Sequence, residues 1–430
     1  MDPDENDRKK CIGVKVIWYE LIDSTDEEAI KLFTRLNIGR IPLTNAELVK
    51  ALFLSRTEGR GIVTEEWQRE VSLQWDTIER ELHDKDFWYF LTTERAEMRD
   101  TRIELILDFM AKEEIDKTPK DPYASFIWFN NKSKESDLRE LWNEITRFYS
   151  TLKEWYKKDE LYHRIGYLVA SKTKKIDDLM EAVKGLKKSE IIEKLDGFIR
   201  ESIKTGEKDY SELSYENDYD KVSRLLLLFN VVSLMKSGGK ARFPFKEYNT
   251  SNWSLEHIHA QQSEGLKTQD EWKTWIGEHK QSVEAIASMS EDENKKKQAD
   301  EVLNLIAEKK SAELSGEEFE GIKGQIIQLL SEGSDVEYVH RLSNMALLQK
   351  EKNSALNNVV FDAKRRRIIK MDKEGEYIPY CTKMVFMKYY TQNVTDRLSI
   401  LFWGEEDRKA YIENMNEVLS DYLEGKKIEL

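Results

Sequence analysis

Cysteine is nearly absent from this chain of 430 residues, with Cys11 and Cys381 the only two. They lie far apart in sequence and give neither a disulfide framework nor the paired spacing of a zinc site, so a reducing cytoplasm is the default setting. Long apolar runs are missing as well. The best candidate, LLLLFNVVSLM at 225–235, falls short of the roughly 20 residues that a membrane-spanning helix needs. The opening MDPDENDRKK lacks the apolar core of a signal peptide, so no secretion is expected. Histidine is also scarce. There are six in all, yet His257 and His259 stand together beside Glu256 in NWSLEHIHAQQ, residues 252–262. Two readings compete for that stretch: a metal-and-base site, or an ordinary buried strand that carries imidazoles.

Hydrophobic residues make up 40% of the chain and charged residues 35%, a balance that fits a surface-rich, mostly helical protein and excludes a disordered one. The length predicts two to four structural units. A net charge of −14 argues against nucleic acid until its distribution is considered. Between His340 and Lys370 eight basic residues, among them Arg341, Lys350, Lys352 and Lys370, meet two acidic ones, Glu351 and Asp362. A basic island in an acidic chain offers a phosphate-contact surface and confines DNA to it. A solvated helix face is the competing explanation, and for a charge run alone the better one.

Periodicity then sets the elements. VKVIWYELI at 14–22 reads as a buried strand. A helix follows, opened by Asp23, Ser24 or Thr25 and carrying Ile30, Phe33 and Leu36 at helical spacing. Gly39 and Pro42 mark a turn, and Thr44 with Glu47 predicts a capping box for the next helix. From about 64 to 236 the pattern is helical, with one stripe at Ile103, Ile106, Leu107 and Met110 and another at Leu141, Ile145, Phe148 and Leu152. Pro119 and Pro122 break the run, and aromatics such as DFWYF at 86–90 read as core ahead of a stacking platform. KSGGKARFPF at 236–245 is the clearest boundary. Beyond it the sequence predicts a strand at about 254–261, a Lys- and Glu-rich helical stretch to about 331, a second strand at 338–349, a helix opening at Asn353, and closing helices from 380.

Strand with Glu-His, strand with LSNMALL, then helix: this order resembles the HNH, or ββα-metal, nuclease motif. The resemblance implies that Glu256 and Asn353 ligate Mg²⁺ or Mn²⁺, that His257 is the general base, and that Asn344 braces the loop fixing the His257 ring. His259 falls behind these as a supporting or structural residue. Asn357, one turn beyond Asn353, and the run Lys364, Arg365, Arg366 and Arg367 become DNA contacts. Phosphodiester hydrolysis explains these residue types. It needs a poised base, and positive charge where oxygen develops negative charge. A regular strand puts Glu256 and His257 on opposite faces, so the site requires a bend or a strand end there. His83, His163 and His279 read as structural or exposed, and His340 as a weak candidate phosphate contact.

The wider run EHIHAQ…HRLSNMALLQKEKNSALNNVVFDAKRR, together with EEAIKLFTRLNIGRIPLTNAELVKALF near the N-terminus, resembles the GmrSD-type modification-dependent restriction endonucleases. That resemblance implies a mainly α protein in four parts. Residues 1–62 are the C-terminal part of a ParB/sulfiredoxin-like α/β domain, and 63–240 are a helical domain. Residues 241–375 are an HNH domain with a helical insertion at about 263–337, and 376–430 are closing helices. It implies a cytoplasmic restriction enzyme that acts on modified phage DNA in antiviral defence. The family's Asp-Gly-Gln-Gln-Arg run, expected upstream of FTRLN, is absent here, as is the proline of its HI-x-P-Q segment, where Ala260 stands. No nucleotide-hydrolysis residues are therefore carried over, and a second chain supplying the nucleotide-binding layer is an implied partner. The alternative is a non-catalytic DNA-binding, sensing or assembly subunit. The ββα-metal chemistry does not itself exclude RNA.

Overall fold

Thr44 accepts a hydrogen bond from the Glu47 amide while the Glu47 carboxylate takes the Thr44 N–H, so the expected capping box opens α1 (Asn45–Leu54). The computed structural model describes residues 43–55, 64–206, 208–238, 241–259, 266–309, 313–331, 338–351, 359–391 and 397–429, with Glu28 and Leu32 besides. The strand expected at 14–22 and the turn at Gly39 and Pro42 lie outside the described residues. Within them the chain forms eighteen α-helices and one two-stranded sheet, so it is mainly α. No described helix is long and apolar enough to cross a membrane.

The two predicted stripes become α2 (Glu104–Met110), which buries Leu105, Ile106 and Leu107, and α3 (Leu138–Lys157), which buries Leu141, Ile145 and Leu152. The helical pattern stops at Lys117 and resumes at Ala124, on either side of the two prolines. Phe87, Trp88, Tyr89 and Phe90 are core, not a stacking platform. Next come α4 (Asp159–Ala170) and α5 (Tyr219–Lys236). Residues 225–232 of α5 are buried without a polar face, because that helix lies inside the molecule. It packs on α4, on the hairpin described below and on the C-terminal helices. The 236–245 boundary falls between two helix ends, with Gly238 at φ +87°, a backbone conformation that favours glycine.

After the boundary come β1 (Trp253–His257), the insertion helices α6 (Gln269–Met289), α7 (Glu293–Lys309) and α8 (Gly316–Leu330), then β2 (Met345–Gln349) and α9 (Phe361–Lys373). The chain closes with α10 (Tyr380–Phe386) and α11 (Glu405–Leu419). Both strands are shorter than expected. The first ends at His257, and the segment before β2 turns through a 3-10 helix at Leu342–Asn344. Thr268 with Glu271 and Ser315 with Glu318 cap α6 and α8 in the reciprocal manner that S/T-x-x-E encodes.

Two buried clusters result. The main one runs from α1 through α5 and both strands to α11. The insertion has its own, built from Trp275, Val283, Val302, Phe319 and Ile326 and closed by Val359, Val360 and Ala363. Helix α9 sits between them, giving Phe361 and Ile368 to the main core and Ala363 to the insertion. That placement governs what its basic residues touch.

Candidate functional site

A two-stranded sheet leaves each strand one open edge, whose polar groups need other partners. β1 and β2 pair antiparallel, with Glu256 opposite Ala346 and His257 opposite Met345. On the far edge of β2 the Thr382 hydroxyl donates to the Leu347 carbonyl at 2.7 Å and the Tyr411 hydroxyl to the Met345 carbonyl at 3.1 Å. On the far edge of β1 the Leu255 N–H donates to the Tyr219 hydroxyl at 3.2 Å. The hairpin is thus bolted to the helices by side chains.

Asn344 holds the exit from β1. Its Nδ2 donates to the carbonyls of His259 and Val339, each at 2.9 Å, and its Oδ1 accepts the His259 N–H at 2.9 Å. Its own carbonyl accepts the Ile258 N–H at 2.8 Å. Fully buried, Asn344 fixes the backbone directly after His257, the geometry expected of a loop brace.

Glu256 and His257 do not converge. In the regular register their side chains take opposite faces, and no bend reverses this. The Glu256 carboxylate faces inward, 3% of the residue being exposed, and is ion-paired to the Lys364 ammonium on α9. Lys364 Nζ also donates to the His257 carbonyl at 2.6 Å. Burial pushes the Glu256 carboxyl up, and the Lys364 charge opposes that shift. Lys364, expected as a DNA contact, is 1% exposed and cannot reach phosphate.

The same pairing answers whether Glu256 fits a Mg²⁺ or Mn²⁺ ion. A hard cation needs carboxylate oxygen with room for water, whereas this carboxylate is buried and already neutralised by an ammonium. Glu256 does not fit. Asn353, the other expected ligand, and Asn357 lie outside the described residues. Among the described residues no group of three or more His, Cys, Asp and Glu side chains is placed to hold a metal ion.

His257 occupies the other face. The residue is half-buried, its ring centroid is 4.8 Å from that of Tyr215, and its Nε2 lies 3.2 Å from Nδ1 of His340. Burial, then the nearby Lys364 charge and His340, push its pKa down to about 4, so the ring is neutral at pH 7. His340 Nε2 stands 3.6 Å from Oε1 of Glu216. The sequence pointed to His257 but not to these neighbours. Glu216 carries no motif, and its position shows only once α5 is packed against the hairpin.

His259 is buried behind the site, with Nδ1 lacking a partner among the described residues and Nε2 3.5 Å from the Ser331 hydroxyl. Burial pushes it down to about 4 as well. His163 and His279 are structural clamps. In His279, Nδ1 lies 2.6 Å from the Trp275 carbonyl and Nε2 accepts the Val360 N–H at 3.1 Å. In His163 the partners are the Asp159 carbonyl and the Phe243 N–H. His83 is exposed beside Glu79.

The basic run of α9 is mostly engaged. Arg366 pairs with Asp362, donates to the Glu278 carbonyl and reaches the Ser282 hydroxyl at 3.2 Å, and Arg367 pairs with Glu278. These arginines dock the insertion on α9. Arg365 is half-buried, and burial pushes its guanidinium down. No protein-family model, no curated protein and no solved structure matches this chain.

Proposed function

We propose that the chain is an HNH-type endonuclease that hydrolyses phosphodiester bonds in DNA, with His257 as general base. The observation that carries this reading is the setting of His257. It is a neutral imidazole at the end of a strand, followed by a backbone held by Asn344, in a β1–β2–α9 order that resembles the ββα-metal motif. The free ring takes a proton from water, the resulting hydroxide attacks phosphorus, and the P–O bond to the ester oxygen on the opposite side breaks, that oxygen taking a proton from solvent water. A base held near 4 stays unprotonated through the neutral range, at some cost in proton-transfer driving force. Glu256 is not assigned as a ligand of the Mg²⁺ or Mn²⁺ that the resemblance implies. The proposed setting is a cytoplasmic restriction system acting on modified phage DNA, with a second chain supplying the nucleotide-binding layer.

A second reading has its own support. The capture of Glu256 by Lys364, and of Arg366 and Arg367 by the insertion, favours a non-catalytic DNA-binding, sensing or assembly subunit. Supercoiled plasmid incubated with Mg²⁺ or Mn²⁺ separates the two. The endonuclease reading expects nicking by the wild type and none by His257→Ala. A mobility shift without nicking by either protein supports the non-catalytic subunit.

A further inference from the structure

Two segments distant in sequence meet beside His257. The Tyr215 N–H donates to the His340 carbonyl at 3.0 Å, Ser214 and Arg341 form an isolated antiparallel bridge, and Arg341 Nη1 donates to the Ser211 carbonyl at 2.7 Å. Asn344 holds the carbonyl of Val339, the residue before His340. The backbone carrying His340 is therefore fixed from both sides. Its ring stacks on Tyr215, with centroids 6.2 Å apart at 29°, while the His257 ring meets it edge-on at 77°.

The polar atoms then form a row: Glu216 Oε1, His340 Nε2, His340 Nδ1, His257 Nε2. A neutral imidazole carries one N–H and one lone pair. A carboxylate beside Nε2 of His340 favours the N–H on that nitrogen, because a lone pair there would face negative oxygen. In neutral His340, Nδ1 is then the acceptor, so the proton on His257 sits on Nε2. The second nitrogen of His257, Nδ1, then keeps its lone pair, and among the described residues no hydrogen bond reaches it. The carboxylate sets the direction of the whole row, as an acid orients an imidazole in hydrolase triads.

We propose that Glu216 and His340 are positioning residues that lock His257 in the Nε2–H tautomer and leave Nδ1 as its proton-accepting atom. The word accepting rests on the endonuclease reading above; the tautomer does not. The loop ahead of α5 becomes part of the site, which links the helical part of the chain to the hairpin.

The test is long-range ¹H–¹⁵N correlation on the full chain labelled with ¹⁵N-histidine at pH 7.5, read beside single-turnover nicking of plasmid. His257→Gln assigns the signals. The wild type is expected to show His257 with a protonated Nε2 and a pyridine-like Nδ1. His340→Phe, which retains a ring against Tyr215, and Glu216→Ala should convert this to a mixture of tautomers. They should also lower the nicking rate about tenfold to a hundredfold with DNA affinity unchanged, the range seen when an outer partner of a functional histidine is lost. An Nδ1–H tautomer in the wild type, or one that neither substitution alters, overturns the proposal whatever the nicking result. Undiminished nicking by His257→Ala overturns the endonuclease reading and leaves the tautomer to be judged by its own spectrum.

Discussion

Lys364 and Glu256 form an ion pair inside the protein, their side chains 2% and 4% exposed. They join α9 to β1 across 108 positions of sequence. A buried pair adds little net stability, because desolvation offsets attraction, but removing one partner strands a charge. Lys364→Met and Glu256→Leu alone are each expected to destabilise the fold by about 3–5 kcal/mol. The double change Glu256→Leu with Lys364→Met should recover most of that loss. Guanidinium unfolding of the four proteins checks it, and simple addition of the two single costs would contradict the pairing.

Gly166 on α4 lies flat against the Phe245 ring. A Cβ built there falls 2.0 Å from Phe245 Cε2, far inside contact distance. Gly166→Ala is expected to cost at least about 1–3 kcal/mol, the usual penalty for overpacking. Adding Phe245→Leu should return part of it. A shift in thermal midpoint of the single variant below 1 °C would contradict the packing described.

The buried imidazoles predict an acid limit to stability. Burial pushes His257, His259 and His279 down to about 4, from an ordinary value of 6.5, and lowers His163 too. Each folded-state value lies below the unfolded one. The stability tied to the neutral ring is therefore complete above pH 6.5 and is lost as pH falls toward 4. For the fully buried His279 the loss is on the order of 3 kcal/mol at most. Unfolding midpoints measured from pH 7.5 to 4.5 should fall steadily, and His279→Leu should flatten the slope by about one proton. A flat profile in the wild type would count against neutral buried rings.

The same shift at His257 predicts the pH dependence of cleavage. If the base titrates near 4, the single-turnover rate shows no limb near pH 6.5 and is the same at pH 5.5 and 7.5 to within about twofold. Circular dichroism at both values confirms that the protein remains folded. A tenfold fall centred on pH 6.5 would mean that the ring is solvated, unlike the half-buried imidazole described here.

Much of the fold was legible in the residues. The capping pair Thr44 and Glu47, the α3 stripe at Leu141, Ile145 and Leu152, and the core identity of DFWYF all rest on local spacing, and local spacing survives folding. Both strands of the hairpin fall inside or beside the expected stretches but are shorter than the apolar runs suggested, the second beginning only at Met345. What failed was charge read as a block. Lys364, Arg365, Arg366 and Arg367 look like one patch in sequence, but four consecutive residues on a helix at 100° each surround it. One points into the hairpin and two into the insertion. Partners such as Glu256 and Lys364, or His257 and His340, are brought together by tertiary packing and leave no spacing signal. The lone acid in EHI becomes a ligand only through the resemblance to the ββα-metal motif, and nothing nearby in sequence announces its lysine.

Single-turnover cleavage of a labelled DNA duplex bearing modified bases shows whether His257 is the base of a phosphodiester hydrolysis. The comparison is the wild type against His257→Ala, with folding of both verified by circular dichroism. Cleavage by the wild type is expected, with a loss of at least about a hundredfold in the variant. Equal rates from the two proteins would contradict that role for His257.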